Sequence, residues 1–231
     1  MSIRDNILQV RSNIAAACRD AGRAVEEITL VGASKMNDSA ACREAIAAGI
    51  DALGENRVQE MTQKLQENAY AGVPLHFIGH LQRNKVKQVV GKAALIQSVG
   101  SLELLEAIEK EAAKQDLVQD ILLEVNIGEE AAKSGFFAKE LLDAAKQSTA
   151  CSHIRVLGLM AIPPAESDRD TNIQYFQKVR ALYVDINEKV FHNKLECLSM
   201  GMSGDYADAI RCGATMVRVG TAIFGTRNYT L

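Results

Sequence analysis

The sequence predicts an α/β chain folded as a (β/α)8 TIM barrel with an extra N-terminal helix. Three observations carry that expectation. Eight short apolar runs, rich in β-branched residues, recur along the chain; each is followed by a helical pattern or a polar turn; and no Pro/Gly/Ser-rich linker or shift in composition interrupts the 231 residues. Runs of this length read as buried parallel strands. Alternation with helices implies a parallel sheet, and eight such units close into a barrel. An open doubly wound sheet is the competing arrangement, but its glycine-rich fingerprint after the first strand is missing. A single domain over 1–231 is expected.

The elements follow in order. Ile3, Ile7, Leu8, Val10, Ile14 and Ala17 recur at helical spacing, so residues 3–22 form an amphipathic helix covering the barrel bottom or one flank. The first strand is ITLVGASK (28–35), and Asp38 or Ser39 caps a helix through Ala48 that Gly49 ends. IDALGEN (50–56) is the second strand and turn, with a helix over 57–69. LHFIGHL (75–81) is the third, and QRNKVKQVVG opens a basic helix behind it. ALIQSVG (94–100) is the fourth, followed by the clearest helix, SLELLEAIEKEAAKQ. QDILLEVNIG (119–128) is the fifth, with a helix over 138–148, and IRVLGLMAI (154–162) the sixth, closed by Pro163-Pro164. A long helix over 168–190 leads to LECLSMGMS (195–203), the seventh strand and its loop. A short helix over 205–212 precedes ATMVRVG (214–220), the eighth.

Composition narrows the function classes. A formal net charge of −3 and a pI near 5.9 leave no electrostatic footprint for nucleic acid or a membrane surface. Five cysteines without a CxxC pair argue for reduced thiols in the cytoplasm. The N-terminus has charges throughout and no unbroken apolar stretch, so it reads as no secretory signal. No apolar run approaches the ~20 residues that span a bilayer. Nothing in the pattern argues for more than a monomer or a weak dimer.

In a barrel of this kind chemistry lies at the C-terminal strand ends. Lys35 ends the first strand, where burial would depress its pKa and free its amine to attack an aldehyde. A lysine snorkelling to water is the bland alternative. SMGMSGD lies ahead of a short helix, and RVGT ends the neighbouring strand. Ser203, Gly220 and Thr221 thus offer hydroxyls and N–H groups to an anion, where barrels often bind phosphate. Ser203 as a plain helix cap is the competing reading. Arg218 alternates with Met216 and Gly220 and points into the mouth, where it needs a partner. A ring nitrogen, or an ion pair with Glu124 or Glu55, would serve. His76 and His80 lie four apart on a strand and turn, which is poor metal geometry, and no metal site is expected.

LVGASK, DALGENRVQE, LHFIGHLQRNK, LEVNIGEEAAKSGF, VLGLMAIPP, LSMGMSGDYADAI and MVRVGTAIFG, in this order, resemble the YggS/PROSC family of pyridoxal-phosphate-binding proteins. The likeness runs over residues 28–227, nearly the whole chain. It implies the barrel of the alanine racemase N-terminal domain, fold type III, and a role in pyridoxal 5'-phosphate homeostasis. Lys35 is similar to the lysine that holds the cofactor as a Schiff base, and Ser203, Gly220 and Thr221 to its phosphate cradle. Arg218 resembles the arginine facing the pyridine nitrogen, and Asn56 a residue lining the cofactor. Met160 would wall the ring, with Met200 and Met202 packed around the phosphate loop.

An arginine can only donate a hydrogen bond, so the nitrogen it faces stays unprotonated and the electron sink is shallow. Racemisation also needs acid/base groups on both faces of the substrate, and Lys35 serves one. In alanine racemases a tyrosine of a second domain serves the other. The sequence stops after the barrel, and Tyr206 and Tyr229, near the mouth, sit in no motif for that work. The expected function is therefore cofactor binding and delivery to pyridoxal-phosphate-dependent apo-enzymes, without enzymatic activity of its own. A weak racemase or lyase is the second reading, and a Schiff-base aldolase acting on a sugar phosphate the third.

Overall fold

The computed structural model describes residues 2–165 and 167–225. Strands β1 (Thr29–Ala33), β2 (Ala52–Glu55), β3 (Leu75–Phe77), β4 (Leu95–Val99), β5 (Gln119–Val125), β6 (Ile154–Ala161), β7 (Cys197–Ser199) and β8 (Met216–Val219) close in that order into a parallel barrel. Pairing of Val31 with Arg218 seals β8 to β1. Around it run α1 (Ile3–Asp20), α2 (Ser39–Ala47), α3 (Val58–Gln66), α4 (Leu102–Lys114), α5 (Ala138–Ser148), α6 (Arg169–Lys189), α7 (Tyr206–Arg211) and α8 (Thr221–Phe224).

Side chains alternate across each strand, which separates two apolar bodies. Val31, Ala52, Leu95, Leu122, Met160, Cys197 and Met216 fill the lumen. A larger shell, including Leu30, Leu53, Phe77, Ile96 and Leu198, packs outward against the helices. Ser2 and Asp5 cap α1 reciprocally. Asn6 Nδ2 of α1 donates to the Ile223 carbonyl at 2.8 Å, and Asn13 Nδ2 to the Tyr206 hydroxyl at 2.9 Å. Of the two positions open to it, α1 thus takes the flank, over α7 and α8.

Two elements differ from the sequence reading. The basic segment behind β3 is a 3-10 turn, Arg83–Gln88, rather than an α-helix. Val86, Val89 and Val90 are all buried there, and β-branched side chains crowd an α-helical turn. The tighter i to i+3 winding stacks Val86 over Val89, and Gly91, with φ +75°, stops it. The second difference is α8, which begins at Thr221, where a loop was expected.

One ion pair is fully enclosed in the outer shell. Gly54 occupies the lumen face of β2, so Glu55 points outward, beneath α3. Its Oε1 accepts from Lys64 Nζ at 2.6 Å, Ser34 Oγ at 2.7 Å and the Tyr70 hydroxyl at 3.1 Å. Lys64 Nζ also donates to the Ser34 carbonyl at 2.9 Å, fastening the chain just after β1. Removing one partner of such a pair leaves an uncompensated buried charge. Lys64→Met is expected to cost about 3–5 kcal/mol of stability, read by urea denaturation. A cost below about 1 kcal/mol, the range of exposed pairs, would contradict this reading.

Candidate functional site at the barrel mouth

A line of polar side chains crosses the lumen under the C-terminal strand ends. Arg218, 3% exposed, donates through Nη1 to Ser199 Oγ and through Nη2 to the Ala161 carbonyl at 3.0 Å. Ser199 Oγ donates to Gln97 Oε1 at 2.7 Å, and Gln97 Nε2 lies 3.0 Å from His76 Nδ1. The proton directions follow from this chemistry. Gln97 accepts through Oε1, so its amide donates to His76 Nδ1, which must be the unprotonated nitrogen. Ser199 spends its one proton on Gln97 and turns a lone pair to the guanidinium. Burial pushes His76 down to about 4, which keeps the ring neutral. Burial also lowers Arg218 to about 10, opposed by the charge of Glu124. Arg218 therefore stays cationic near neutral pH, hydrogen-bonded to neutral acceptors.

Above this line the rim is pinned residue by residue. Lys35 is half-buried in the turn between β1 and α2. The Ser34 N–H before it donates to the Gly54 carbonyl at 3.0 Å. Asn37 Nδ2 donates to the Lys35 carbonyl at 3.0 Å, and the Met36 N–H to Glu60 Oε2 at 2.8 Å. Asn56 follows β2, and its Oδ1 is buried without a hydrogen-bond partner among the described residues. Gly79 passes so close that a Cβ there would stand 2.2 Å from the Asn56 carbonyl oxygen.

Across the seam, Gly220 abuts β1: a Cβ on it would lie 3.3 Å from the Ala33 carbonyl oxygen. The Gly220 and Ala222 N–H groups both donate to Ser203 Oγ at 3.2 Å. Ser203 thus caps the neighbouring α8, while Asp205 holds the N-cap position of α7. With two donors arriving at its oxygen, the Ser203 hydroxyl hydrogen must point elsewhere. Asp205 Oδ1 accepts from the Met202 N–H at 2.6 Å and fixes the loop. Thr221 is exposed at the start of α8.

The family described as alanine racemase, N-terminal domain, matches residues 6–228. A protein of Aquifex aeolicus named pyridoxal phosphate homeostasis protein is 39% identical, over 99% of this chain and 100% of its own. One of Escherichia coli with the same name is 36% identical, over 99% of this chain and 98% of its own. The chain belongs to the family of pyridoxal phosphate homeostasis proteins. Among solved structures, PipY of Synechococcus elongatus with PLP bound is 30% identical at a TM-score of 0.85, covering 97% of this chain and 100% of that one. An alanine racemase of Clostridium difficile shares the fold, with a TM-score of 0.74 at 16% identity, over 99% of this chain and 58% of that one.

In this family member the expected site residues fall into three groups. Lys35, Asn56, Ser203, Gly220 and Thr221 stand at the rim of adjoining strands β7, β8, β1 and β2. Met160 and Arg218 lie in the lumen beneath. Met200 stands apart: it is fully buried in the outer shell. Met202 is 39% exposed. Tyr206 is held under α1, away from the mouth, and Tyr229 lies outside the described residues. Neither ion pair considered for Arg218 is hydrogen-bonded: Glu55 faces outward, and Glu124 acts on it only through charge. The sequence reading weighed His76 only as a metal ligand and did not link it to Gln97, Ser199 and Arg218, although each interrupts an apolar run with a polar residue, the one available signal.

His76 works against the fold in acid. Its folded pKa of about 4 lies below the unfolded value near 6.5, so unfolding takes up a proton between those pH values. The His76 contribution to stability is constant above about pH 6.5 and falls toward pH 4 by up to ~1.4 kcal/mol per pH unit. Glu124, whose folded pKa burial raises to about 7, acts in the opposite direction over nearly the same range. His76→Gln is expected to remove the His76 contribution, so that the variant gains stability relative to wild type as pH falls from 6.5 toward 4 in denaturation curves taken at several pH values. An unchanged slope would contradict a depressed His76 pKa.

Proposed function

We propose that this protein binds pyridoxal 5'-phosphate at the barrel mouth, holds it covalently through the Lys35 amine, and releases it to apo-enzymes. The observation that carries the reading is one juxtaposition. The lysine follows β1, the Ser203–Gly220–Thr221 cluster stands across the β1–β8 seam, and a donor-only arginine lies beneath both. The relative from Synechococcus elongatus with PLP bound supports the ligand, and the shared name of the curated relatives supports homeostasis over catalysis.

The residues present fit the group. Phosphate oxygens accept hydrogen bonds, and Ser203 keeps its hydroxyl hydrogen for one while its oxygen is fixed by two N–H donors. The Thr221 hydroxyl adds another. A ring nitrogen accepts, and Arg218 donates. Asn56 Oδ1 is a buried acceptor awaiting a donor. The cofactor supplies an electrophilic aldehyde and, with amino acids, an electron sink. Arg218 keeps that sink shallow, because a guanidinium that stays protonated donates a hydrogen bond to the ring nitrogen without giving it a proton. Amines that compete with Lys35 would lift the cofactor off and so trigger delivery. The five cysteines are all free, in keeping with the reducing cytoplasm.

Labelling, binding, exchange and apo-enzyme reactivation experiments test the reading. Protein loaded with pyridoxal phosphate should be yellow, and borohydride should fix the label on the peptide carrying Lys35. Lys35→Ala should lose the visible band yet keep its fold. Ser203→Ala and Thr221→Ala should each weaken pyridoxal phosphate binding by ~1.5–3 kcal/mol and leave pyridoxal binding nearly unchanged. Label on another lysine, or equal losses for both ligands, would refute the assignment. For catalysis, loaded protein incubated with L-alanine in deuterated water should give little exchange and no D-alanine. Multiple turnovers to D-alanine that Lys35→Ala abolishes would replace storage with racemisation, and failure to reactivate any apo-enzyme would remove delivery.

A further inference from the structure

The lumen holds an ionisable group that this reading leaves unused. Glu124 stands on β5 two residues after Leu122, whose side chain belongs to the lumen layer, so alternation turns Glu124 to the same face. It pairs in register with Met160, another lumen residue. β5 is four strands from β1 either way around the closed barrel, which sets Glu124 on the wall opposite Lys35. One strand from it, the Ala161 carbonyl accepts from Arg218.

The chain covers one oxygen of this carboxyl. The Phe136 N–H donates to the Glu124 carbonyl at 2.8 Å and the Asn126 N–H to the Phe136 carbonyl at 3.0 Å, laying Gly135–Phe136 along the end of β5. Gly100 and Gly135 meet over it. A Cβ on Gly100 would stand 2.6 Å from Gly135 N and 3.2 Å from Glu124 Oε2. The Asn126 side chain ties down the rest of the loop through Glu130 and Lys133 main-chain atoms. Under this cover Glu124 Oε2 is buried with no hydrogen-bond partner among the described residues. Burial raises its pKa to about 7, and Arg218 is the charge that opposes the rise.

The other groups around the lumen do not compensate it. His76 on β3 is neutral, and burial holds the Cys197 thiol on β7 protonated, its pKa pushed up to about 12. Asp205, beyond β7, is a further acid, and Lys133 in the covering loop pairs with Glu130. β4 and β6 present Gln97 and Met160, while β1 leads to Lys35.

We propose that Glu124 is a further ligand-facing residue, which takes up a proton as the anionic cofactor enters and meets it as a neutral carboxyl. The inference rests on the cofactor reading above. An anion brought into the same low-dielectric chamber disfavours a carboxylate and favours the acid, which can donate to a ligand acceptor. Below about pH 7 the proton is already in place. Above it, loading must draw one from solution, so affinity should fall with rising pH, approaching about tenfold per pH unit.

Calorimetric titration of the full chain with pyridoxal phosphate at pH 7.5, in two buffers of different ionisation enthalpy, counts the protons. Wild type should take up about half a proton or more beyond the Glu124→Gln variant, whose amide keeps the shape without the titration. Infrared difference spectra should show a protonated-carboxyl band on loading that Glu124→Gln lacks. Repeating both in Lys35→Ala separates this proton from those of the amine. Equal proton uptake in wild type and Glu124→Gln, with no carboxyl band, would overturn the proposal. Should Glu124→Gln fail to fold, the wild-type band and proton count still decide: their absence overturns it. A wild-type chain that shows neither binding heat nor a visible band removes the cofactor reading itself, and this proposal with it.

Discussion

A guanidinium enclosed in a closed barrel must find acceptors on the surrounding strands, because no water shell reaches it. Arg218 finds them on β6 and β7, and Ser199 passes the demand through Gln97 on β4 to His76 on β3. Five of the eight strands are tied by this one line of hydrogen bonds. Each proton in it has a single consistent direction, ending on a neutral imidazole. A line of neutral acceptors holds the charge in place without cancelling it. The positive field at the bottom of the mouth is therefore a fixed property of the fold, available to an acceptor above.

The rim depends on the same closure. Register between β1 and β8 sets Gly220 against Ala33, and so brings the turn carrying Lys35 beside the Ser203–Thr221 cluster. Contacts outside the lumen then hold each side. Glu55 and Lys64 fasten Ser34 from beneath α3, while Ser203 gathers the N–H groups that open α8. A lysine is flexible, and its amine is useful only if its backbone stays put. The buried ion pair behind β2 thus acts on the site without entering it.

Two ionisable groups of opposite sign share the lumen without a hydrogen bond between them. Arg218 is held by neutral acceptors, and Glu124 lies under the Gly100–Gly135 contact with one orphaned buried oxygen. Had they paired, the barrel would contain a neutral salt bridge and little chemistry. Kept apart, one remains a fixed cation and the other can change its charge. The family relatives are named pyridoxal phosphate homeostasis proteins.

Alternation of apolar runs with helical patterns determined the barrel, its eight strands and the loops where polar residues collect. Strand ends such as Lys35 and loop pairs such as SMGMS and RVGT were legible because strand period and loop position are local properties of the chain. The tertiary structure decided what is relational. Which helix Ser203 caps, that Met200 faces outward while Met160 faces the lumen, and that Glu55 and Glu124 lie on opposite sides of the wall all depend on register and closure. Residues 76, 97, 199 and 218 carry no common signal in sequence. They form one hydrogen-bonded line only because the barrel brings four strands around a single axis, and hydrogen bonds are set by distance in space, to which separation along the chain gives no guide.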